Sequence, residues 1–307
     1  MRRSDLKLVS LVAATALVVS MLSVDLRAED FYVNNIVGAD TNNGKKSTDP
    51  SNNSGPFRTI ARALRGAQRG DRVFVEKTTQ PYYESLGVQG VRNSGTDYMP
   101  FSIISNGAIL DGSQPVDPGA WEHYGGNVFR FMPRLKSHQQ LYLDGKPAER
   151  VPARKHGFVP GLEAGQWALT GGWIYFCVAD GRIPGNYDLR YCAEQTGITL
   201  YEVDNVVIEG LVIQGFQLDG VNAHDAVTQT IVRQCNLRGN GRSGLSVGGA
   251  ARLAVVESIV GANGAAQVRS EGYSQVFIEN CRLIESRQTG PAMVNDGGRI
   301  AVDGKWQ

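Results

Sequence analysis

A repeat of about 24 residues fills the last third of the chain and restricts its fold more than any other feature. One set of short signals begins at Gly197, Gly220, Gly244, Gln267 and Pro291. A second set, out of phase with the first, begins at Val207, Ile231, Val255, Phe277 and Ala301. Two apolar signals per period predict a solenoid, because each unit can bury its apolar face only against its neighbours.

The alternation within each signal predicts strands. Val221 and Ala223, like Leu245 and Val247, alternate with polar or small residues, which is the period of a strand. Glycines between the signals suit tight turns with positive φ. The repeat therefore predicts an all-β chain folded as a right-handed, single-stranded parallel β-helix. A leucine-rich repeat is the alternative, but it requires a Leu-rich consensus, and these units are rich in Val and Ile.

The N-terminus has the pattern of a secretory signal peptide over residues 1–28. Arg2, Arg3 and Lys7 precede the apolar run Leu8–Val24, and Ala28 offers a small residue at the cleavage point. We therefore expect a secreted, periplasmic or cell-surface protein. A membrane anchor is the alternative, although about 17 apolar residues is short for a membrane span.

The charge of the mature chain argues against two classes of partner. Removal of residues 1–28 takes four basic and two acidic residues from the 31 and 30 of the whole chain, which leaves a net charge of −1. Without a basic excess, neither nucleic acid nor an anionic membrane surface is the expected partner. No spacing of Cys and His resembles a zinc site.

The four cysteines fall into two pairs. Cys235 and Cys281 occupy one column of the repeat two rungs apart, roughly 10 Å, which is too far for a disulfide. They are predicted to be buried small hydrophobes. Cys177 and Cys192 flank a turn-rich segment, and the sequence leaves open whether they form a hairpin disulfide.

The rest of the chain divides around the solenoid. Residues 29–70 are predicted to hold a first strand, a polar loop and an amphipathic capping helix over Pro56–Gln68. The β-helix then occupies residues 71–307, with an irregular insertion near 113–196. The repeat stops at Gln307 within a rung signal. Either the natural chain is longer, or Trp306 covers this end, or self-association through the uncapped rung does.

Several segments resemble the secreted right-handed β-helix proteins of the pectate-lyase-like superfamily. The segments that carry the likeness are Phe31–Val33, Gly38–Gly44, Gly55–Ile60, Gly70–Val75, Asn93–Thr96, Ile109–Gly112 and Val207–Leu211. The resemblance implies export, the β-helix fold, a polysaccharide partner and a substrate groove on an outer strand face. It does not imply one activity, because the superfamily includes lyases, glycoside hydrolases, epimerases and members without known catalysis.

The strand alternation identifies the side chains that point outward on the first strand of each rung. They are Thr199, Tyr201, Asn222, His224, Ser246, Gly248, Arg269, Glu271, Met293 and Asn295, with Asp225 and Asp296 in the adjoining turns. From these we take His224, Arg269 and Glu271 as candidate catalytic residues. Tyr201, Asn222 and Asn295 are the candidate substrate-binding residues. A second stripe, of Glu209, Arg233, Glu257 and Glu279, is interpreted as a charge ladder that keeps the surface soluble.

Three functions remain open. A lyase needs a base, His224 or Arg269, and a cation against the uronate carboxylate. That cation can be Ca²⁺ held by Asp219, Asp225 and Glu271, although related lyases cluster several Asp and use a Lys base, and no Lys lies between positions 155 and 305.

A glycoside hydrolase needs two carboxyls about 5 Å or roughly 6.5–9.5 Å apart, for which Asp225 with Glu271 and Glu271 with Asp296 qualify. The sequence thus predicts an exported, carbohydrate-directed protein that acts on or binds an acidic polysaccharide. A non-catalytic glycan-binding or cell-surface module is the alternative.

Overall fold

A computed structural model describes residues 28–47, 54–153, 157–285 and 289–307. The predicted signal peptide therefore lies, except for Ala28, outside the described residues. Among the helices of the described ranges, none is long and apolar enough to cross a membrane.

The N-terminal part of the chain builds the first rungs. Its elements are β1 (Asp30–Val33), α1 (Ile60–Gly66), β2 (Arg72–Val75), β3 (Leu86–Gln89), β4 (Phe101–Ser105) and β5 (Ile109–Asp111). A single 3₁₀ turn, Val91–Asn93, follows β3.

The described part of the insertion, which lacks residues 154–156, holds nine short strands and two 3₁₀ turns, Pro118–Ala120 and Pro184–Asn186. The strands are β6 (Ser113–Pro115), β7 (Glu122–Gly125), β8 (Val128–Phe131), β9 (Leu141–Leu143), β10 (Lys146–Pro147), β11 (Glu149–Arg150), β12 (Gln166–Thr170), β13 (Trp173–Cys177) and β14 (Leu189–Cys192).

The repeat region supplies the remaining strands. They are β15 (Ile198–Tyr201), β16 (Val206–Glu209), β17 (Val212–Gln214), β18 (Asp219–His224), β19 (Thr230–Arg233), β20 (Asn236–Arg238), β21 (Ser243–Val247), β22 (Arg252–Val256), β23 (Ile259–Gly261), β24 (Ala266–Glu271), β25 (Gln275–Glu279), β26 (Arg282–Ile284), β27 (Met293–Asp296), β28 (Arg299–Val302) and β29 (Lys305–Trp306).

Three stacked sheets of almost wholly parallel strands confirm the predicted right-handed β-helix. The nine-stranded sheet runs β1-β2-β4-β16-β19-β22-β25-β28-β29, the six-stranded sheet β3-β15-β18-β21-β24-β27, and the five-stranded parallel sheet β5-β17-β20-β23-β26. Inward residues such as Ile198, Ile208, Ile213 and Val221 are fully buried in one continuous core. Each rung thus hides its apolar side chains only by stacking on the next.

The chain leaves this solenoid after β5 and returns to it in register. Strands β15, β16 and β17 pair with β3, β4 and β5 respectively, so about a hundred residues separate neighbours in space. The excursion between them, which the sequence suggested was irregular, is β-structure. It forms a four-stranded sheet (β10-β9-β14-β6) and a five-stranded mixed sheet (β11-β12-β13-β8-β7). A separate apolar core around Trp167, Ile174 and Phe176 holds it together.

Helix α1 is shorter than the predicted Pro56–Gln68 and begins at Ile60. Thr59 is its N-cap, because the Thr59 hydroxyl accepts the backbone N–H of Arg62 at 3.1 Å. Ile60, Ala63 and Leu64 are buried, and the helix contacts β1, β2 and β3. It therefore packs on the first strands of two sheets.

Two register predictions were wrong by one residue. Val268 pairs with Met293 and Ser270 with Asn295, so Val294 and Asp296, not Met293 and Asn295, continue the outward columns. The step from β24 to β27 is one residue longer than the sequence alignment assumed, and a one-residue slip exchanges the two faces of a strand.

The second wrong prediction concerns the nine-stranded sheet, where the predicted alignment of Glu257 was also off by one residue. Arg233 pairs with Val256, which pairs with Glu279, so the predicted ladder residue Glu257 lies in the following turn.

The cysteines are free thiols. Ser258 lies between Cys235 and Cys281 in one column. The Ser258 hydroxyl accepts the backbone N–H of Cys235, and the Ser258 backbone N–H donates to Cys281 Sγ. The two cysteines therefore occupy the shared column that the sequence predicted. Cys177 and Cys192 lie on β13 and β14, in different sheets of the insertion, and form no disulfide.

The last rung folds back on itself. β29 pairs antiparallel with β28, and the Trp306 ring lies 5.6 Å from the Phe277 ring and 4.0 Å from the Arg299 guanidinium. β29 therefore pairs with the backbone edge of the last rung, and Trp306 packs on the outward face of the nine-stranded sheet, not over the end of the core.

Candidate functional site

Two outward columns run along the six-stranded sheet. Pairing places Thr199, Asn222, Ser246, Arg269 and Val294 in one column. The other contains Tyr201, His224, Gly248, Glu271 and Asp296. Because strands of one sheet are ~4.8 Å apart, equivalent side chains two rungs apart have backbones about 10 Å apart.

Arg269 joins the two columns on the later rungs. Its Nε and Nη2 atoms donate to Glu271 Oε1 at 3.0 and 2.8 Å, and Nη2 also donates to Asp296 Oδ2 at 2.6 Å. The bonded oxygens of the two carboxylates therefore lie within about 5.4 Å of each other, since both bond to the same Nη2 atom. The structure thus brings together two predicted catalytic residues, Arg269 and Glu271, in a cluster with net charge −1.

A second ion pair lies at the start of β18 and β21. Asp219 is fully buried, and its two oxygens accept Arg242 Nε at 3.0 Å and Arg242 Nη2 at 2.5 Å. The Ser243 hydroxyl and the Asn222 amide donate to the same carboxylate. The predicted substrate-binding residue Asn222 therefore helps to hold Asp219.

Tyr201 and His224 form the aromatic part of the face. Their rings lie 5.0 Å apart on neighbouring rungs. Each is followed by an acid in a left-handed turn: Glu202 has φ 51° and Asp225 has φ 62°. Asp225 Oδ2 lies 3.2 Å from His224 Nδ1, which leaves Nε2 as the outer nitrogen. The negative charge of Glu202, followed by its hydrogen bond and by Asp225, raises the pKa of Tyr201.

Gly248 leaves one position without a side chain between His224 and Glu271. It aligns with His224 on one side and Glu271 on the other, and a Cβ added at Gly248 would meet no atom within 4 Å. The face therefore has a shallow gap, one rung wide, between an imidazole and a carboxylate.

The insertion forms a wall beside this face. Gln217 donates to Ser137, and the Tyr142 hydroxyl donates to the Gly239 carbonyl at 2.6 Å. His138 of the insertion lies close enough to this face that the charged residues of the face change the pKa of the His138 imidazole. Partial burial and then the charge of Arg242 lower the pKa of His138, and Arg150 and Arg269 act in the same direction.

The predicted calcium ligands do not fit a metal site. Asp219 and Asp225 lie at opposite ends of β18, roughly 20 Å apart along an extended strand. The Asp219 oxygens are already occupied by Arg242, Ser243 and Asn222. Within the described ranges, no group of three or more His, Cys, Asp and Glu is placed to hold a metal ion.

Three charged residues of this site escaped the sequence analysis. Arg242 directly precedes β21, so an outward position in the repeat just before a strand is the signal that would have found it. His138 and Arg150 belong to the insertion, which has no period from which their positions could be inferred.

Comparison with known proteins agrees with this architecture. Residues 186–304 match a family model described as a right handed beta helix region. A search of curated protein sequences found no significant match.

Three solved structures resemble the chain at low identity. A glycoside hydrolase shares 13% identity with a TM-score of 0.58, over 83% of this chain and 73% of that one. The complex of XylC with xylose shares 12% identity, TM-score 0.44, over 89% and 68% of the two chains. The pectate lyase Pel9A shares 11% identity, TM-score 0.43, over 89% and 62%. The likeness to the glycoside hydrolase concerns the fold alone and agrees with the right-handed β-helix of the family model.

Proposed function

We propose that the chain is an exported protein that binds a polysaccharide on the outward face of the six-stranded sheet. The observation that carries the proposal is the gap at Gly248, which lies between His224 and the Arg269 cluster on this face. A sugar ring in this gap has an aromatic surface on one side and hydrogen-bonding carboxylates on the other. Small-molecule sites commonly combine a flat aromatic surface with a few fixed polar groups.

The charges of the face support a neutral chain rather than the acidic polymer expected from the sequence. The carboxylates of Glu202, Asp225, Glu271 and Asp296 lie on this face with the guanidinium of Arg269, whereas Asp219 and Arg242 neutralise each other in a buried ion pair. An elimination reaction needs a net positive group against the uronate carboxylate. Arg269, already bonded to two carboxylates, does not supply one.

Hydrolysis is the second candidate function. Asp225 and Glu271 flank the Gly248 gap from two rungs apart, so their backbones are about 10 Å apart. If the two side chains point toward each other across the gap, their carboxyl groups come within the roughly 6.5–9.5 Å separation of inverting glycosidases. The glycoside hydrolase named above is a protein of the same fold, which makes this chemistry a reasonable one to test.

The gap itself can be closed without disturbing the core. Gly248→Leu adds a side chain in open space, so the fold is expected to keep its stability while the gap is filled. Ala254→Leu, on the outer face of the nine-stranded sheet, is the matched control. Binding to xylan, glucomannan, cellulose and polygalacturonate is measured by affinity electrophoresis.

Two outcomes decide the placement of the site, and two decide its chemistry. Binding by the wild type and Ala254→Leu that is lost in Gly248→Leu supports it. Equal binding by all three proteins refutes the placement of the site. New reducing ends that disappear in Asp225→Asn or Glu271→Gln assign hydrolysis, whereas an unsaturated uronate product in the ultraviolet assigns elimination.

A further inference from the structure

The base of the insertion contains a second hollow, distinct from the Gly248 gap. Tyr83, Asp111, Ser113, Gln114, Arg190 and Glu194 line it, and its volume is about 280 Å³. The insertion leaves the solenoid at Gly112 and rejoins it at Ala193, and the hollow lies at this junction. We call it the basal hollow.

One guanidinium in the basal hollow is held rigidly. Arg190 Nε donates to the Ser113 hydroxyl at 3.0 Å and Nη2 donates to the Ser113 carbonyl at 2.8 Å. The guanidinium carbon lies 5.1 Å from the centroid of the Tyr83 ring. Tyr83 is 53% exposed, so part of the ring remains open to a ligand.

Two carboxylates complete the hollow in different ways. Asp111 is buried and accepts the Ser113 backbone N–H and the Gln214 amide, each at 2.8 Å, so it is a fixed part of the floor. The Glu194 carboxylate has no hydrogen-bond or ion-pair partner among the residues that the structure describes. The hollow therefore offers an unused acceptor, a fixed donor group and an aromatic ring.

These groups select against most ligand classes. The carboxylates disfavour an anion such as phosphate, and the charged rim disfavours an apolar molecule. A sugar ring satisfies all three features, because hydroxyls both donate to a carboxylate and accept from a guanidinium, while the C–H face of the ring packs on an aromatic surface. The volume is just below the roughly 300–1,000 Å³ of small-molecule sites, which suits one or two rings.

We propose that the basal hollow is a second sugar subsite that binds a remote unit of the polysaccharide, a proposal whose ligand class rests on the proposed function. Tyr82 pairs with Leu110, so Tyr83 lies beside Asp111, Gln214 and Arg238 on the five-stranded sheet, whereas Gly248 follows β21 of the six-stranded sheet. Tyr83 is three rungs before Arg238, so the hollow and the Gly248 gap are at least about 14 Å apart. A disaccharide is too short to reach both, so chain length distinguishes the two subsites.

The test compares disaccharides with hexasaccharides of the xylan, cellulose and mannan series by calorimetry. Tyr83→Ala and Glu194→Gln are the variants, and Tyr98→Ala, at another highly exposed tyrosine, is the control. We expect Tyr83→Ala to weaken hexasaccharide binding about tenfold and to leave disaccharide binding at the Gly248 gap unchanged.

The outcomes separate the two sites. Hexasaccharide affinity equal to wild type in both Tyr83→Ala and Glu194→Gln overturns the basal hollow alone. Loss in Tyr83→Ala but not in Gly248→Leu upholds the hollow and overturns the gap. A wild-type protein that binds none of the three hexasaccharides overturns both proposals.

Discussion

The ion pair between Asp219 and Arg242 makes a quantitative prediction about stability. The Asp219 side chain is fully buried and that of Arg242 is 22% exposed, so Arg242→Ala leaves a carboxylate inside the protein without its counter-charge. Breaking a buried pair in this way costs about 3–5 kcal/mol. Because Asn222 and Ser243 still donate to Asp219, we expect the lower end, about 3 kcal/mol.

A matched pair on the opposite sheet gives the control. Arg233 and Glu209 are also neighbours on adjacent rungs, but their side chains are 48% and 23% exposed. Exposed pairs contribute about 0.2–1 kcal/mol, so Arg233→Ala is expected to cost about 0.5 kcal/mol. The two variants remove the same guanidinium from the same solenoid and differ mainly in burial.

The measurement is urea unfolding followed by circular dichroism and by tryptophan fluorescence. Two probes are needed because long repeat arrays can unfold in steps. The double variant Asp219→Ala/Arg242→Ala should be less destabilised than the sum of the single variants, since the uncompensated charge is then gone. A loss for Arg242→Ala no larger than that for Arg233→Ala would refute the reasoning.

Three further predictions test other parts of the fold. Burial raises the pKa of Glu84, and hydrogen bonds from the backbone N–H groups of Ala61 and Ile60 offset part of this increase. Its contribution to stability is therefore present below pH 4.5 and lost as the pH rises through the folded-state pKa, and Glu84→Gln should flatten this part of a stability–pH curve. Gly244→Ala would place a Cβ 2.4 Å from Val260 Cγ1, so thermal unfolding should show a loss of about 1–3 kcal/mol that Gly248→Ala lacks. Trp306→Ala removes the ring that packs β29 against Phe277 and Arg299, so β29 should detach from the edge of β28 and self-association in light scattering should increase over wild type, a result that an unchanged mass contradicts.

The sequence predicted those features that follow from the period of the repeat. Inward residues such as Val221 and Leu245, and the outward neighbours Tyr201, His224, Arg269 and Glu271, occupy the faces that alternation assigns to them. Alternation identifies a face only while the rung length is constant. The longer last rung therefore reversed the assignment of Asn295.

The partners of the site residues depend on contacts that the period does not describe. The ion pair of Asp219 with Arg242 depends on a side chain just outside a strand, and a carboxylate at the start of a strand looks the same in sequence whether it is paired or free. The wall formed by His138 and Tyr142 depends on how the insertion folds over the corner of the solenoid. Its strands carry no repeat, and their pairing is set by tertiary packing around Trp167.

The two ends of the insertion meet at a single carbonyl. The backbone N–H groups of Ala193 and Glu194 both donate to Gly112 O at 3.0 Å, and the rungs before and after them are in register. Chain segments whose ends are this close can be lengthened, shortened or exchanged at little cost to the structure that carries them. The solenoid and the insertion are thus joined at one point, so a change in the length of the insertion need not displace any rung.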